Sequence, residues 1–236
     1  MTTQMNSEDT KPPWSIAVVD DDAVVLQAVS RMLEVCGHYV RSYSSARAFL
    51  RALDTALPEV LLLDLRMPGI DGASLQATMR QLGYRVPIVF LSGHGDVATS
   101  VRAVRDGAID FLEKPCDEQT LLSALERGVR AARQERSKRA AVDELAARWD
   151  ALTRREREVC RWVVTGRLNK QIAAKLGTVE KTVKVHRARV MTKMGAGSVA
   201  DLVRIFDLLK EAGRIGAEGG DQNMLNSRLD AAPPPG

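Results

Sequence analysis

Four short apolar runs in this chain each end on a polar or charged side chain. Ile16-Ala17-Val18-Val19 runs into Asp20-Asp21-Asp22, and Val60-Leu61-Leu62-Leu63 ends on Asp64. Pro87-Ile88-Val89-Phe90-Leu91 ends on Ser92, and Ile109-Asp110-Phe111-Leu112 leads to Glu113-Lys114-Pro115. Val60-Leu61-Leu62-Leu63, bounded by Pro58 and Pro68-Gly69, reads as a strand buried on both faces, and the other three runs read as strands beside it. In an open parallel sheet, ligands sit beyond the carboxyl ends of the strands, so Asp20, Asp21, Asp64, Ser92 and Lys114 are expected to gather at one edge. Carboxylates packed together repel unless a cation joins them. Hard oxygen donors suit Mg²⁺, which keeps several waters and favours a phosphate partner. A lysine beside them offers a point charge to an anion and a serine a hydrogen-bond donor. A metal, a nucleophilic carboxylate and two groups to hold the added oxygens form the set for phosphoryl transfer onto Asp64.

Each member taken singly has a plainer explanation. Asp64 could open the next turn, Ser92 could cap one, and Lys114 before Pro115 could be a loop lysine. Asp22 reads as the N-cap of the following helix rather than as a ligand, and His94, in a glycine loop, reads as polar surface. The agreement of four strand ends carries the chemical reading.

The elements that must position these residues follow from periodicity. Helices are expected over 23–35, closed by Gly37, over 45–53, over 72–82, ended by Gly83, over 97–105 and from Asp117 onward, with a second strand at 39–43. Five βα units predict a parallel sheet with helices on both faces. Three scattered cysteines, Cys36, Cys116 and Cys160, make no disulfide set and fit a reducing, cytoplasmic setting. Residues 1–13 lack the pattern of a signal peptide and are expected to be disordered. No apolar run approaches the roughly 20 residues needed to span a membrane.

This first module resembles the receiver domain of two-component response regulators, specifically the FixJ-like kind, over residues 14–130. The matching residues are Val19-Asp20-Asp21, Asp64-Leu65-Arg66-Met67-Pro68-Gly69, Ser92-Gly93-His94-Gly95-Asp96 and Asp110-Phe111-Leu112-Glu113-Lys114-Pro115. The resemblance implies a flavodoxin-like strand order, 2-1-3-4-5, and an Asp64 that accepts a phosphoryl group from a sensor histidine kinase. It implies Mg²⁺ held by Asp20 or Asp21, Asp64 and the backbone carbonyl of Arg66. Ser92 stands at the family's Thr/Ser position, Phe111 at its switch aromatic, and Lys114-Pro115 resembles its cis peptide.

Charge separates a second module from the first. Residues 14–127 hold 11 Lys and Arg against 15 Asp and Glu, a net charge of −4, whereas residues 149–214 hold 15 against 7, a net of +8. A basic second half is a candidate for nucleic acid. Between them, 131–148 is rich in helix formers and poor in apolar residues, which reads as a helical or flexible linker. Thr153 with Glu156 three residues on forms a capping box for a helix ending at Gly166. A short helix over 170–176, a turn at Gly177, a cap at Thr178 and a longer basic helix over 179–194 make a helix-turn-helix at about 169–193. Ser198 caps a fourth helix.

On the long helix, Val183, Val190 and Met194 fall on the core side, while Lys181, Lys184, Val185, Ala188 and Thr192 fall opposite. Lysines there reach phosphates or guanine, and Val185 and Ala188 are small enough to touch thymine methyls in the major groove. Arg189 adds charge at the groove wall. Arg187 lies in line with the inner face and is expected to pair with Glu156 or Glu158, and His186 is expected to be structural or a phosphate donor. Residues 149–212 resemble a LuxR-type domain through Leu152-Thr153-x-x-Glu156, Asn169-Lys170-Gln171-Ile172-Ala173 and Thr182-Val183-Lys184-Val185-His186-Arg187. That resemblance implies a dimer on inverted repeats of double-stranded DNA, with Asn169, Lys170 and Thr182 joining Lys181, Lys184, Val185, Ala188 and Arg189 at the interface. It also implies the fourth helix in pairing. Residues 213–236, ending in Ala-Ala-Pro-Pro-Pro-Gly, are expected to be a disordered tail.

The expected protein is thus α/β plus all-α: a five-stranded receiver, a linker and a four-helix DNA-binding domain. It is a transcription regulator in which phosphorylation of Asp64 draws Ser92 and Phe111 inward. This remodels the surface of the 97–105 helix and the fifth strand, promotes homodimerisation and favours DNA binding, with RNA polymerase a candidate partner. A Mg²⁺-dependent phosphohydrolase would want an acid two residues after its nucleophile, where this chain has Arg66. No enzymatic activity is expected beyond receiver-assisted phosphoryl transfer and autodephosphorylation. A receiver that bound partners without phosphate would be expected to lack an acid or the lysine. A nucleotide-binding fold would want a glycine fingerprint or Walker lysine after a strand.

Overall fold

The computed structural model describes residues 12–53, 57–93 and 107–216. The chain divides into two compact units, with the break between Arg136 and Ser137. The first unit contains strands β1 (Ser15–Val19), β2 (Tyr39–Tyr43), β3 (Val60–Asp64), β4 (Ile88–Ser92) and β5 (Asp110–Glu113). Around them lie α1 (Ala23–Val35), α2 (Ala46–Ala52), α3 (Gly72–Gln81) and the first turns of α4 (Glu118–Asp150). The strands form one parallel sheet in the order β2-β1-β3-β4-β5. Val19 pairs with Leu63, Leu63 with Phe90 and Ser92 with Glu113, so β1, β3, β4 and β5 end close to one level. The expected 97–105 helix and the loop residues His94, Gly95 and Asp96 lie outside the described residues.

Successive strand side chains point to opposite faces, and here the alternation builds two cores. Ala17, Val19, Leu61, Leu63, Ile88 and Phe90 pack with Phe49 of α2 and Leu75 and Met79 of α3. Ile16, Val18, Val60, Leu62, Val89 and Leu91 pack on the other face with Leu33 of α1 and Leu121, Ala124, Leu125 and Val129 of α4. With both faces covered, β3 reads as an unbroken apolar run and all five of its residues are buried. Helix starts are fixed locally: Asp22 caps α1 by accepting from the N–H groups of Val24 and Val25, Ser45 caps α2, and Asp71 caps α3. Two glycines mark close approaches. A Cβ on Gly72 would collide with the carbonyl oxygen of Asp64, and one on Gly128 would lie 2.7 Å from Cγ2 of Val60.

The second unit contains the last turns of α4, then α5 (Arg154–Val164), α6 (Asn169–Lys175), α7 (Glu180–Met194) and α8 (Val199–Glu211). Residues 131–148, which the sequence leaves open between helix and tether, lie inside α4. Leu145, Ala146 and Trp149 of α4 pack with Val159 and Val163 of α5, Ile172 of α6, Val183 and Val190 of α7, and Leu202 and Leu209 of α8. The Thr153–Glu156 capping box forms with both reciprocal bonds, and Ser198 caps α8.

Two expectations are corrected. Thr178 does not cap α7: the N-cap is Val179, with no side-chain bond, and the Thr178 N–H instead closes α6 on the carbonyl of Ala173 at 3.0 Å. The tail does not begin at Gly213. Ile215 is buried in the helical core and Arg214 forms an ion pair with Asp143, because the apolar side chain after the α8 C-cap still finds the core. Residues 1–11 and 217–236 lie outside the described residues. Among the described residues, no helix is long and apolar enough to cross a membrane.

Candidate functional site

The carboxyl ends of β1, β3, β4 and β5 bring together the side chains that the sequence singles out. Asp20, just past β1, and Asp64, the last residue of β3, are only 3% and 6% exposed. Carboxylate oxygens of Asp20, Asp21 and Asp64 all lie within 4.8 Å of one another, with Asp21 exposed. The Lys114 ammonium, arriving from beyond β5, donates to Asp20 Oδ2 at 2.6 Å and to Asp64 Oδ1 at 2.8 Å. The other oxygen of Asp20 accepts from the Asp22 N–H at 2.9 Å, so this carboxylate is held at both ends. Lys114 is itself anchored: its N–H donates to the carbonyl of Ser92 at 2.8 Å, and the Lys114-Pro115 peptide is cis.

The electrostatics of this cluster follow from counting charges. Burial drives the Asp64 carboxyl above the ordinary aspartate value, although Lys114 and the Arg66 backbone N–H both favour its ionised form. Burial alone would lower Lys114, but its bonds to Asp20 and Asp64 outweigh that and hold the ammonium above its usual value. The two shifts are compatible because one cation serves two acids. With all three aspartates ionised, one ammonium offsets a single charge. The remainder, presented as hard oxygen donors, matches a divalent cation of the Mg²⁺ kind.

The rest of the set lies on β4, on β5 and just after β3. Ser92 is 1% exposed at the end of β4. Phe111 of β5 pairs in register with Phe90 and is half-buried against the core, ring centroids 6.4 Å apart. Arg66 follows β3 with an exposed side chain. The α3 N-terminus is pinned beneath the site by the Gly72 N–H, which donates to the Leu65 carbonyl at 2.9 Å.

In the second unit, α6 and α7 meet through a turn at Gly177, whose φ of +61° suits glycine. Lys170 of α6 and Lys181, Lys184, Val185, Ala188 and Arg189 of α7 are exposed, while Asn169 and Thr182 are half-buried. Val183, Val190 and Met194 are buried, as their spacing requires. The expected partner of Arg187 is corrected. Its Nη1 donates to Asn169 Oδ1 at 3.1 Å, because both candidate acids are engaged elsewhere. Glu156 accepts from Lys193 at 2.7 Å, and Glu158 accepts from Arg155 at 2.8 Å. His186 is half-buried, with a buried Nδ1 that meets no partner among the described residues.

Three positioning groups are absent from the sequence reading. Arg155 donates to the carbonyl of Leu176 at 2.6 Å, fixing the turn between α6 and α7. Lys193 ties the α7 C-terminus to the capping box through Glu156 and donates to the Ala151 carbonyl at 3.2 Å. Arg148 of α4 donates to the last carbonyl of α7, that of Met194, at 3.3 Å. The only signal for them is a basic residue flanking an inner-face position, as Lys193 flanks Met194.

Comparison with known proteins agrees with both halves. Residues 16–126 match the family described as "Response regulator receiver domain", and residues 150–206 match "Bacterial regulatory proteins, luxR family". The chain is 41% identical to the response regulator protein TodT of Pseudomonas putida over 197 residues, 84% of this chain and 87% of that protein. It is 38% identical to the transcriptional regulatory protein FixJ of Bradyrhizobium diazoefficiens over 190 residues, 80% of this chain and 93% of that one. Among solved structures, the response regulator StyR superposes with a TM-score of 0.71 at 39% identity, covering 81% of this chain and 97% of that one. Full-length FixJ from B. japonicum superposes with a TM-score of 0.52 at 37% identity, covering 86% and 98%. The chain belongs to the two-component response regulators in which a receiver domain precedes a LuxR-type DNA-binding domain.

Proposed function

We propose that Asp64 is the phosphoryl acceptor of this regulator and that its modification governs dimerisation and DNA binding. The observation that carries this reading is the Lys114 ammonium lying 2.6 and 2.8 Å from acids at the carboxyl ends of two different strands, with Asp21 beside them. A carboxylate oxygen of Asp64 attacks the phosphorus of a phosphohistidine on a sensor kinase. The P–N bond breaks, its electron pair returns to the imidazole nitrogen, and Asp64 is left as an acyl phosphate. Asp20, Asp21, Asp64 and the Arg66 backbone carbonyl would hold Mg²⁺, which when bound offsets charge on the phosphoryl oxygens. Lys114 transfers from carboxylate to phosphoryl oxygen, the Ser92 hydroxyl donates to another, and Phe111 follows Ser92 inward.

The receiver falls within 14–130 and the DNA-binding domain within 149–215, the latter extended past Ala212 because Ile215 is buried. Two phosphorylated copies present two α7 faces to an inverted repeat in double-stranded DNA. Lys170, Lys181, Thr182 and Arg189 hold the backbone, while Lys184, Val185 and Ala188 reach base edges. RNA polymerase is the partner of an activator bound in this way. Incubation of the full chain with acetyl phosphate and Mg²⁺, read by intact mass, tests the chemical step. The wild type gains the mass of one phosphoryl group, and Asp64→Asn does not. Equal labelling of the two would place the acceptor elsewhere.

A further inference from the structure

The helix-turn-helix contains a contact between its own two helices that has a defined chemical polarity. Arg187 of α7 donates through Nη1 to Asn169 Oδ1, 3.1 Å away, and Asn169 is the first residue of α6. A guanidinium carries donors and no acceptor, so the amide atom that faces it must be the oxygen. The Asn169 NH₂ is therefore turned away from Arg187. Asn169 is half-buried and Lys170, its neighbour, is exposed, so the amide stands at the border of the surface that Lys170 shares with solvent. Asn169 also does no capping work: the N-cap is Leu168, whose N–H is taken by Gln171 Oε1 at 2.9 Å.

We infer that Arg187 is a positioning residue for DNA binding, which orients the Asn169 amide so that its NH₂ donates to a phosphate oxygen of the duplex. This rests on the reading of the α6–α7 face as the DNA-facing one. Arg187 itself stays half-buried in line with the core positions Val183 and Val190, and it acts through Asn169. The alternative role for such a contact is a staple between two helices, which would affect stability but not the phosphate contact.

A phosphate contact is independent of base sequence, so the probe is a random-sequence duplex at low salt, titrated with the full-length chain. Asn169→Ala and Arg187→Ala should each weaken binding about tenfold to a hundredfold, the range expected for loss of one hydrogen bond to a charged group. The double variant should bind no more weakly than the weaker single one. Arg187→Lys, which keeps a donor, should recover most of the affinity. The slope of log affinity against log salt should be unchanged, since no cation leaves the phosphates.

A slope lower by about one in Arg187→Ala would make Arg187 itself a phosphate contact and overturn the inference. So would additive losses, or unchanged affinity in Asn169→Ala. A loss of thermal stability in Arg187→Ala with unchanged affinity would reduce the contact to a staple and overturn it equally. Lys181→Ala, at a position read as a backbone contact, serves as the control. If it leaves affinity and slope unchanged, the reading of the whole face has failed, a result distinct from failure at Arg187 alone.

Discussion

At the scale of single residues, the receiver site is a balance of three acids against one lysine. Removing the lysine should expose that balance. Lys114→Ala leaves Asp20 and Asp64, both nearly fully buried, without their counter-charge. Unfolding by urea in EDTA should show a loss of about 3 kcal/mol, the usual cost of breaking a buried pair, and millimolar Mg²⁺ should restore part of it. No loss and no response to Mg²⁺ would mean that the three acids do not act together.

Glu156 supplies a second test at this scale, through pH. Burial alone would raise its carboxyl, but the Lys193 ammonium and the Thr153 groups outweigh that and hold it below the ordinary glutamate value. A carboxyl depressed in the folded state adds stability that is present above its unfolded pKa and lost as pH falls through the folded one. The wild type should therefore exceed Glu156→Gln by about 2 kcal/mol at pH 7, the scale of a hydrogen bond to a charged group. The gap should close as pH drops below about 4. Calorimetric melts of the helical domain across pH would measure it, and a gap that stayed constant would rule out the Lys193 pair as its source.

At the scale of elements, the parallel sheet turns scattered residues into one site. Asp20, Asp64, Ser92 and Lys114 were legible because a carboxyl-end position is a property of each strand alone, and the two-faced alternation then fixes the register. Gly72 shows what the pattern did not reveal. It reads in sequence as a helix start, yet it lets α3 approach so closely that a Cβ would meet the Asp64 carbonyl oxygen and lie 3.1 Å from Phe90 Cε1. Gly72→Ala should cost about 1–3 kcal/mol through overpacking and also slow acetyl-phosphate labelling, because the clash falls on the backbone of Asp64 itself. A stable variant that labels at the wild-type rate would contradict that close approach.

The helical half was legible in outline and opaque in its cross-helix partners. Helix faces follow from 3.6-residue spacing, and Val183, Val190 and Met194 lie inward as that spacing requires. Which acid meets Arg187 depends on how α5, α6 and α7 cross, and that geometry made Lys193, not Arg187, the partner of Glu156. Thr178 misleads for a related reason. It is a good cap by type, but it lies one residue too early, where its N–H closes α6. Ile215 has no signal in the sequence, because a single apolar residue after a helix cap carries no period.

At the scale of the whole molecule, an acidic receiver precedes a basic DNA-binding domain in one chain, and the family places a kinase upstream and a duplex downstream. The basic face should make DNA affinity fall steeply with salt. The most direct measurement of the coupling between the two ends is sedimentation of the full chain with beryllofluoride and Mg²⁺, the fluoride complex standing in for the phosphoryl group on Asp64. Wild type is predicted to shift from monomer to dimer only when both are present, and Asp64→Asn to remain monomeric throughout. A wild type that stays monomeric, or an Asp64→Asn variant that dimerises equally, would contradict control of assembly through Asp64.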